Sequence, residues 1–442
     1  MLPLGGTARS AKGANIMSLL IILVFIGIAL LGMPLAFSLG IGAVAGLIYS
    51  DVDFNLLPTR MMNAVNAFPL MTIPFFILAG ELMMKAGIME RLIDLANSVV
   101  GRVRGGLAHV TVLAGMGLST VSGAAVADAS ALGSTMIPSL RKVYGLGFSS
   151  AVVAAAANLG PIIPPSGAMI VYAFMAGPTV SVGGMFMAGV IPGLILVAAM
   201  LLLVWYTAVK RNFPLTGEPF TWARVGHELK RSWVIFLMPI VVIGGIVGGA
   251  FTATEGSAIA VVYAMAIGFF VTKTLKLADL PEAMIRTAIT SAVVGAMIAF
   301  ASVVTYMLTV DQLPAQLTAL LRGMTQDPLV FMLLVAVALF VVGCFLESNA
   351  AYIMLVPLLH PIALLYGIDP LHFGFLFVFN LVIGMLTPPV GVVLFVLCGI
   401  TGIKLGELVK HVWPFIAVMY GLLFVCMFVP KIVLWLPRLM GY

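Results

Sequence analysis

Two stretches of this chain set consecutive prolines deep inside apolar sequence, and the second stretch repeats the first. Asn158-Leu-Gly-Pro-Ile-Ile-Pro-Pro-Ser-Gly167 is matched by Asn380-Leu-Val-Ile-Gly-Met-Leu-Thr-Pro-Pro-Val-Gly391. Proline lacks a backbone N–H and displaces the carbonyl one turn earlier, so a helix breaks there. Lipid offers the freed groups no partner, and such breaks persist only where protein, water or ions satisfy them. Paired interruptions at corresponding positions of two halves point to the binding site of a secondary transporter.

Composition sets the environment. Of 442 residues, 62% are hydrophobic and only 9% charged, with a mean hydropathy of +1.20. A soluble domain carries about 25% charged residues. Too little polar sequence remains here to coat a soluble core, and apolar runs of membrane-spanning length recur along the chain. The net charge of +6 is spread over short inter-helix loops rather than one face. That is the pattern of membrane orientation and not of nucleic-acid binding. Lys210, Arg211, Arg224, Lys230 and Arg231, set against Glu218 and Glu228, place the 210–231 loop in the cytoplasm. Cys344, Cys398 and Cys426 lie in apolar segments without metal-ligand spacing, so no disulfide framework is expected. Residues 1–16 read as a polar leader outside the fold, with no secretory cleavage signal. No nucleotide-binding loop is present, so an ion gradient, not ATP, is the expected energy source, and no haem is expected.

Apolar segments fall near 17–33, 34–50, 68–86, 106–139, 149–178, 183–209, 232–250, 251–272, 288–308, 328–346, 349–366, 371–399 and 411–438. Those at 106–139 and 328–366 exceed one crossing and have polar centres, which suggests re-entrant hairpins. Two ordinary spans with a short loop would read the same way. Three matches mark a duplication. Phe37–Tyr49 aligns without gaps on Phe251–Tyr263, Tyr144-Gly145 corresponds to Tyr366-Gly367, and Asn158 with Pro164-Pro165 corresponds to Asn380 with Pro388-Pro389. The expected architecture is an all-α integral membrane protein of two inverted-topology repeats. The first repeat covers 17–209, with hairpin 106–139 and broken helix 149–178. A cytoplasmic linker covers 210–231. The second repeat covers 232–442, with hairpin 328–366 and broken helix 371–399.

The first hairpin turns within Ser119–Ser130, opposite the break at Gly160–Ser166. Hydroxyls and freed carbonyls are hard oxygen donors, so Ser119, Ser122, Gly123, Gly160, Ile163 and Pro164 form a candidate sodium site. Close helix packing through small residues would produce the same composition. The second hairpin turns within Gly343–Ala350, and Gly343, Glu347, Ser348, Gly384, Thr387 and Pro388 form a second candidate sodium site. Substrate is expected between the two, near the midplane, against Ser122, Asp128, Asn158, Pro165, Ser166, Asn349, Asn380 and Pro389. A carboxylate at membrane depth costs roughly 2.5–3.5 kcal/mol on insertion scales. Asp128, Glu255 and Glu347 are therefore either ion or proton ligands or caps of half-helices, while Glu81 sits beside Lys85 nearer an interface. Neither tip contains Arg or Lys, so an anionic substrate would rest on half-helix N-termini, hydroxyls and cations. The five histidines show no zinc-like pairing, and no catalytic arrangement of His, Asp and Ser recurs. The chain is not expected to be an enzyme.

Several stretches resemble the large membrane subunit of TRAP (tripartite ATP-independent periplasmic) transporters, in the order found in that family. They are Ile73-Pro-Phe-Phe-Ile-Leu-Ala-Gly-Glu-Leu82, Val121-Ser-Gly-Ala-Ala-Val-Ala-Asp-Ala-Ser130, Gly160-Pro-Ile-Ile-Pro-Pro-Ser166, Phe186-Met-Ala-Gly-Val-Ile-Pro-Gly193, Gly249-Ala-Phe-Thr-Ala-Thr-Glu255, Gly367-Ile-Asp-Pro-Leu-His-Phe-Gly374 and Thr387-Pro-Pro-Val-Gly391. The resemblance implies an elevator-type carrier in the bacterial inner membrane, in which a transport domain holding both hairpins slides against a scaffold domain. It implies sodium as the coupling ion, two or more per cycle, bound at the first tip with Gly160–Pro165 and at the second with Gly384–Thr387. It also implies a small four-helix membrane subunit, a periplasmic binding protein, surrounding membrane lipids, and an organic acid substrate such as a dicarboxylate, sugar acid or sialic acid. Two positions depart from the usual pattern: Ala124 where many relatives have a second serine, and Ala253 where many have proline. The first departure leaves more of the first site to backbone carbonyls. A stand-alone sodium- or proton-coupled organic anion symporter, and a non-transporting scaffold subunit, are the competing readings.

Overall fold

The computed structural model describes residues 16–50, 52–215, 217 and 219–442; residues 1–15 of the expected leader and Glu218 lie outside the described residues, and Ile16 opens α1. The first repeat contains α1 (Ile16–Leu30), α2 (Leu35–Ser50), α3 (Leu56–Val65), α4 (Thr72–Lys85), α5 (Ile88–Val100), α6 (Gly106–Ser122), α7 (Ala125–Tyr144), α8 (Leu146–Ala157), α9 (Gly167–Ala176) and α10 (Val182–Lys210). The second contains α11 (Trp222–Val247), α12 (Ala253–Ala266), α13 (Leu280–Val310), α14 (Leu313–Met324), α15 (Pro328–Phe345), α16 (Ser348–Leu365), α17 (Pro370–Gly384), α18 (Val392–Thr401), α19 (Leu405–Phe428) and α20 (Lys431–Leu439). No strand occurs among the described residues.

Local chemistry accounts for the helix boundaries. Ser181 caps α10 by accepting from Gly184 N at 3.0 Å. Asp369 caps α17 by accepting from Leu371 N at 2.9 Å, with Pro370 in the first turn where its missing N–H costs nothing. Thr252 and Glu255 close a capping box on α12.

The duplication is visible in the packing. The α2 helix lies against α13 of the other repeat, and α4 lies against α12, its counterpart pair. Each first half-helix packs on its own hairpin: α8 on α6 and α7, and α17 on α15 and α16. Each second half-helix crosses over, α9 to α16 and α18 to α7. Counting each hairpin as returning and each broken helix as one crossing, the first repeat crosses through α1, α2, α4, α8–α9 and α10, and the second through α11, α12, α13, α17–α18 and α19. Both counts are odd, so the repeats run in opposite senses.

Two apolar cores form. The larger runs through α4–α13 and α15–α20 and takes in Ala36 of α2, while a smaller one joins α1 and α2 to the end of α13 through Ile21, Phe25, Leu39, Leu47, Val303 and Met307. Asp311 ties this second body together, accepting from Ser18 N at 2.9 Å and from the Ser18 hydroxyl.

The apolar-run reading passed over α3, α5 and α14 because polar residues interrupt them: Arg60, Glu90 with Arg91 and Asp94, and Gln316 with Arg322. The α11 helix also starts at Trp222, so Arg224, Lys230 and Arg231 ride on a helix rather than in the expected linker.

Candidate ion and substrate site

The two half-helices that lead into the breaks have no lipid-facing side. Every residue from Gly147 to Ala157 in α8 is buried, and so is every residue from Leu371 to Gly384 in α17. A helix apolar all round belongs in a protein interior, and here it delivers its broken end there.

At the first junction Asn158–Ser166 is buried throughout. The chain turns by short bonds, Ile162 N and Ile163 N both donating to Leu159 O at 3.0 and 2.9 Å. Ser166 then restarts the helix: its hydroxyl donates to Pro161 O at 2.6 Å and accepts from Met169 N at 3.3 Å. The Pro164–Pro165 bond is cis, as is Pro388–Pro389 at the second junction. The tip between α6 and α7 presses on this break. Gly123 has φ +62°, and a methyl group there would sit 2.7 Å from Pro165 O. Only glycine meets both demands. Ser119 donates to Gly115 O at 2.7 Å, and the Ser122 hydroxyl donates to Asp128 Oδ1.

The second junction is built alike with different chemistry. A methyl group on Gly384 would lie 2.6 Å from Gly343 Cα and 2.8 Å from Gly343 O, so break and tip touch through backbone. Val390 N donates to Cys344 O at 3.1 Å, clipping the break to the hairpin. Thr387 donates to Ile383 O at 3.0 Å. Glu347 caps α16, accepting from Asn349 N at 3.0 Å and Ala350 N at 3.3 Å, while its other oxygen takes the Asn349 amide at 2.9 Å. The buried Ser348 hydroxyl has no partner.

The two asparagines preceding the breaks do different work. Asn158 Nδ2 crosses to the other repeat, donating to Val382 O at 2.7 Å, and its buried Oδ1 has no partner. Asn380 Nδ2 stays within its own repeat, on Ala336 O at 2.8 Å, and its Oδ1 accepts from Tyr420 at 3.4 Å. Of the remaining expected substrate residues, Pro165 is buried against the first tip, Asn349 is half-buried beside Glu347, and Pro389 is exposed at the second break.

The carboxylates sort by environment. Glu255 sits exposed in its capping box with Thr252, which resolves it as a cap. Lys85 pairs with Glu282 at 2.6 Å rather than with Glu81. Asp128 caps nothing: the N-cap of α7 is Ala124, which makes no side-chain bond, and Asp128 Oδ2 is buried with no partner. One neighbour the sequence reading did not register is Gly80 of α4. A methyl group there would lie 3.3 Å from Ser122 Cα, so α4 backs directly onto the first tip.

Among the described residues no group of three His, Cys, Asp or Glu stands ready for a metal. The oxygens gathered at both junctions are carbonyl, hydroxyl and carboxylate, which suit hard cations rather than transition metals.

Inverted repeats, hairpin tips against broken helices, and buried oxygens at both junctions define a membrane transporter of the inverted-repeat class. Residues 22–432 match the family described as tripartite ATP-independent periplasmic transporter, DctM component, and this chain belongs to it. The sialic acid TRAP transporter large permease protein SiaM of Vibrio cholerae is 36% identical over 95% of this chain and 98% of that one. The C4-dicarboxylate TRAP transporter large permease protein DctM of Pseudomonas aeruginosa is 35% identical over 91% of this chain and 94% of that one. The 2,3-diketo-L-gulonate TRAP transporter large permease protein YiaN of Escherichia coli is 33% identical over 93% and 98%. In fold, the chain is similar to the Alcanivorax borkumensis YdaH transporter, described as having an unusual topology. The TM-score is 0.60 at 15% identity, covering 95% of this chain and 99% of that one. It is a multi-pass protein of the bacterial inner membrane, with eight described helices long and apolar enough to span it.

Proposed function

We propose that this chain is the transporting subunit of a sodium-coupled, three-part system that takes up an organic acid across the inner membrane. The observation that carries the reading is the doubled junction: two breaks, each closed by a hairpin tip, each lined with hard oxygens. Two such sites fit two coupling cations, with substrate held between them. The substrates named for the relatives, sialic acid, 2,3-diketo-L-gulonate and C4-dicarboxylates, all bear carboxylates, and neither tip supplies a basic side chain to hold one. Bound cations and half-helix N-termini, such as that of α9 behind Ser166, would then supply the positive potential.

The movement we favour is an elevator. The hairpins and broken helices share the larger core, which α13 also enters from Ala283 to Ala301, whereas α1, most of α2 and the end of α13 from Val303 to Leu308 form a second core. The first group would carry the sites past a scaffold containing the second. A small membrane subunit would brace the scaffold, and a periplasmic binding protein would deliver the substrate.

Reconstituted uptake tests the tripartite part. Proteoliposomes holding this chain, the small subunit and the loaded binding protein should accumulate the acid, and omission of either partner should reduce uptake to background. Equal uptake by the chain alone would instead establish a free-standing symporter.

A further inference from the structure

Asp128 stands out among the described residues as a fully buried carboxylate with an unpartnered oxygen. Its side chain is fully buried, one carboxylate oxygen accepts the Ser122 hydroxyl, and the other has no partner. That second oxygen faces the first break: a methyl group placed on Gly160 would lie 2.5 Å from it. Nothing basic approaches. The elements packed on α7 are α6, α8 and α18, and none carries Lys or Arg; the α4 residue beside the Gly80 contact is Glu81. An uncompensated buried carboxylate costs several kcal/mol, relieved either by a proton or by a cation beside it, and the break this one faces is lined by the oxygens of the first cation site. A place in the substrate surface does not suit it either, since an organic anion would meet a like charge.

We propose that Asp128 is a direct ligand of the first cation, through Oδ2. The first junction would then bind its cation with a formally anionic donor set that neutralises it, so the positive potential for the substrate would come from the second cation and from half-helix N-termini such as that of α9. The second junction differs in kind. Its carboxylate, Glu347, already accepts two backbone amides and one side-chain amide as the cap of α16, so its cation rests mainly on neutral oxygens from Gly384 to Thr387. The two sites are thus unequal, and the first should be the tighter. Ser122 acts as a positioning residue, holding Oδ1 so that Oδ2 points at the break.

This inference rests on the sodium reading above, and binding measurements separate the two. Radioactive sodium binding and sodium-dependent thermal stabilisation are followed on the purified full chain in nanodiscs, without substrate. The unaltered chain should bind two sodium ions of unequal affinity. Asp128→Asn should lose the tighter one, with at least a tenfold drop in affinity, and keep the weaker one. Thr387→Ala should do the reverse. Ser122→Ala should weaken the tighter site and leave its charge dependence intact. Asp128→Glu, which keeps the charge, should still be stabilised by sodium, and this arm decides the matter if Asp128→Asn fails to fold. Two ions bound at unchanged affinity by Asp128→Asn, or loss of stabilisation in Asp128→Glu, overturns the assignment. A parent chain that binds no sodium overturns the sodium reading itself.

Discussion

Gly384→Ala is expected to reduce uptake to background while the chain still inserts and folds. At this position the second break meets the second tip backbone to backbone, and an added methyl would lie 2.6–2.8 Å from Gly343 Cα, C and O. No side chain can rotate to make room, so tip and break must separate. Overpacking of this kind costs about 1–3 kcal/mol. Imposed on a cation site, the same energy corresponds to roughly a five- to 150-fold loss of affinity. Gly123→Ala should behave the same way at the first junction, where a left-handed backbone adds roughly 1–2 kcal/mol to the approach of Pro165 O at 2.7 Å. Gly421→Ala, in α19 with nothing within 4 Å of the new methyl, is the control and should transport normally. The check is initial uptake rate against sodium concentration, with thermal unfolding of each variant measured in parallel. Normal uptake by Gly384→Ala would show that the tip–break contact is unimportant for transport.

Replacing external sodium with choline should abolish accumulation, and restoring sodium should raise the rate with an apparent order above one. The expectation follows from duplication. Both junctions expose hard oxygens, both are closed by a tip, and Asn158 joins them physically by bonding from the first break to Val382 O beside the second. Filling one site therefore bears on the other, and an order above one is the natural outcome. A first-order dependence, or accumulation driven by a proton gradient in the absence of sodium, would contradict two coupled sites.

Much of this fold was legible because lipid removes alternatives. Prolines inside apolar sequence had to end helices, and the ends at Ala157 and Gly384 fall within a few residues of Pro161 and Pro388. The hairpin turns at Gly123 and Leu346–Glu347 lie inside the small and polar windows expected of them. What stayed hidden was amphipathic or tertiary. The α5 and α14 helices expose charged faces, so an apolar-run criterion passes over them. The capping box was written in the sequence as Thr252-Ala-Thr-Glu255, a spacing that alone favours the cap for Glu255. Asn158 and Asn380 are equivalent in sequence and not in structure, because their partners, Val382 O and Ala336 O, are backbone atoms brought in by packing. Backbone partners leave no residue-type signature. The same holds for Gly80, whose contact with Ser122 depends on how α4 meets the first tip.

The most direct test of paired cation sites is anomalous scattering from crystals of the full chain soaked in thallium(I), an electron-dense substitute for a monovalent alkali cation. Two peaks are expected: one between Ser119–Gly123 and Gly160–Pro164 beside Asp128, and one between Gly343–Ser348 and Gly384–Pro388. Both should fade when sodium is added back. Thallium bound only elsewhere, or a single peak midway between the repeats, would contradict the account.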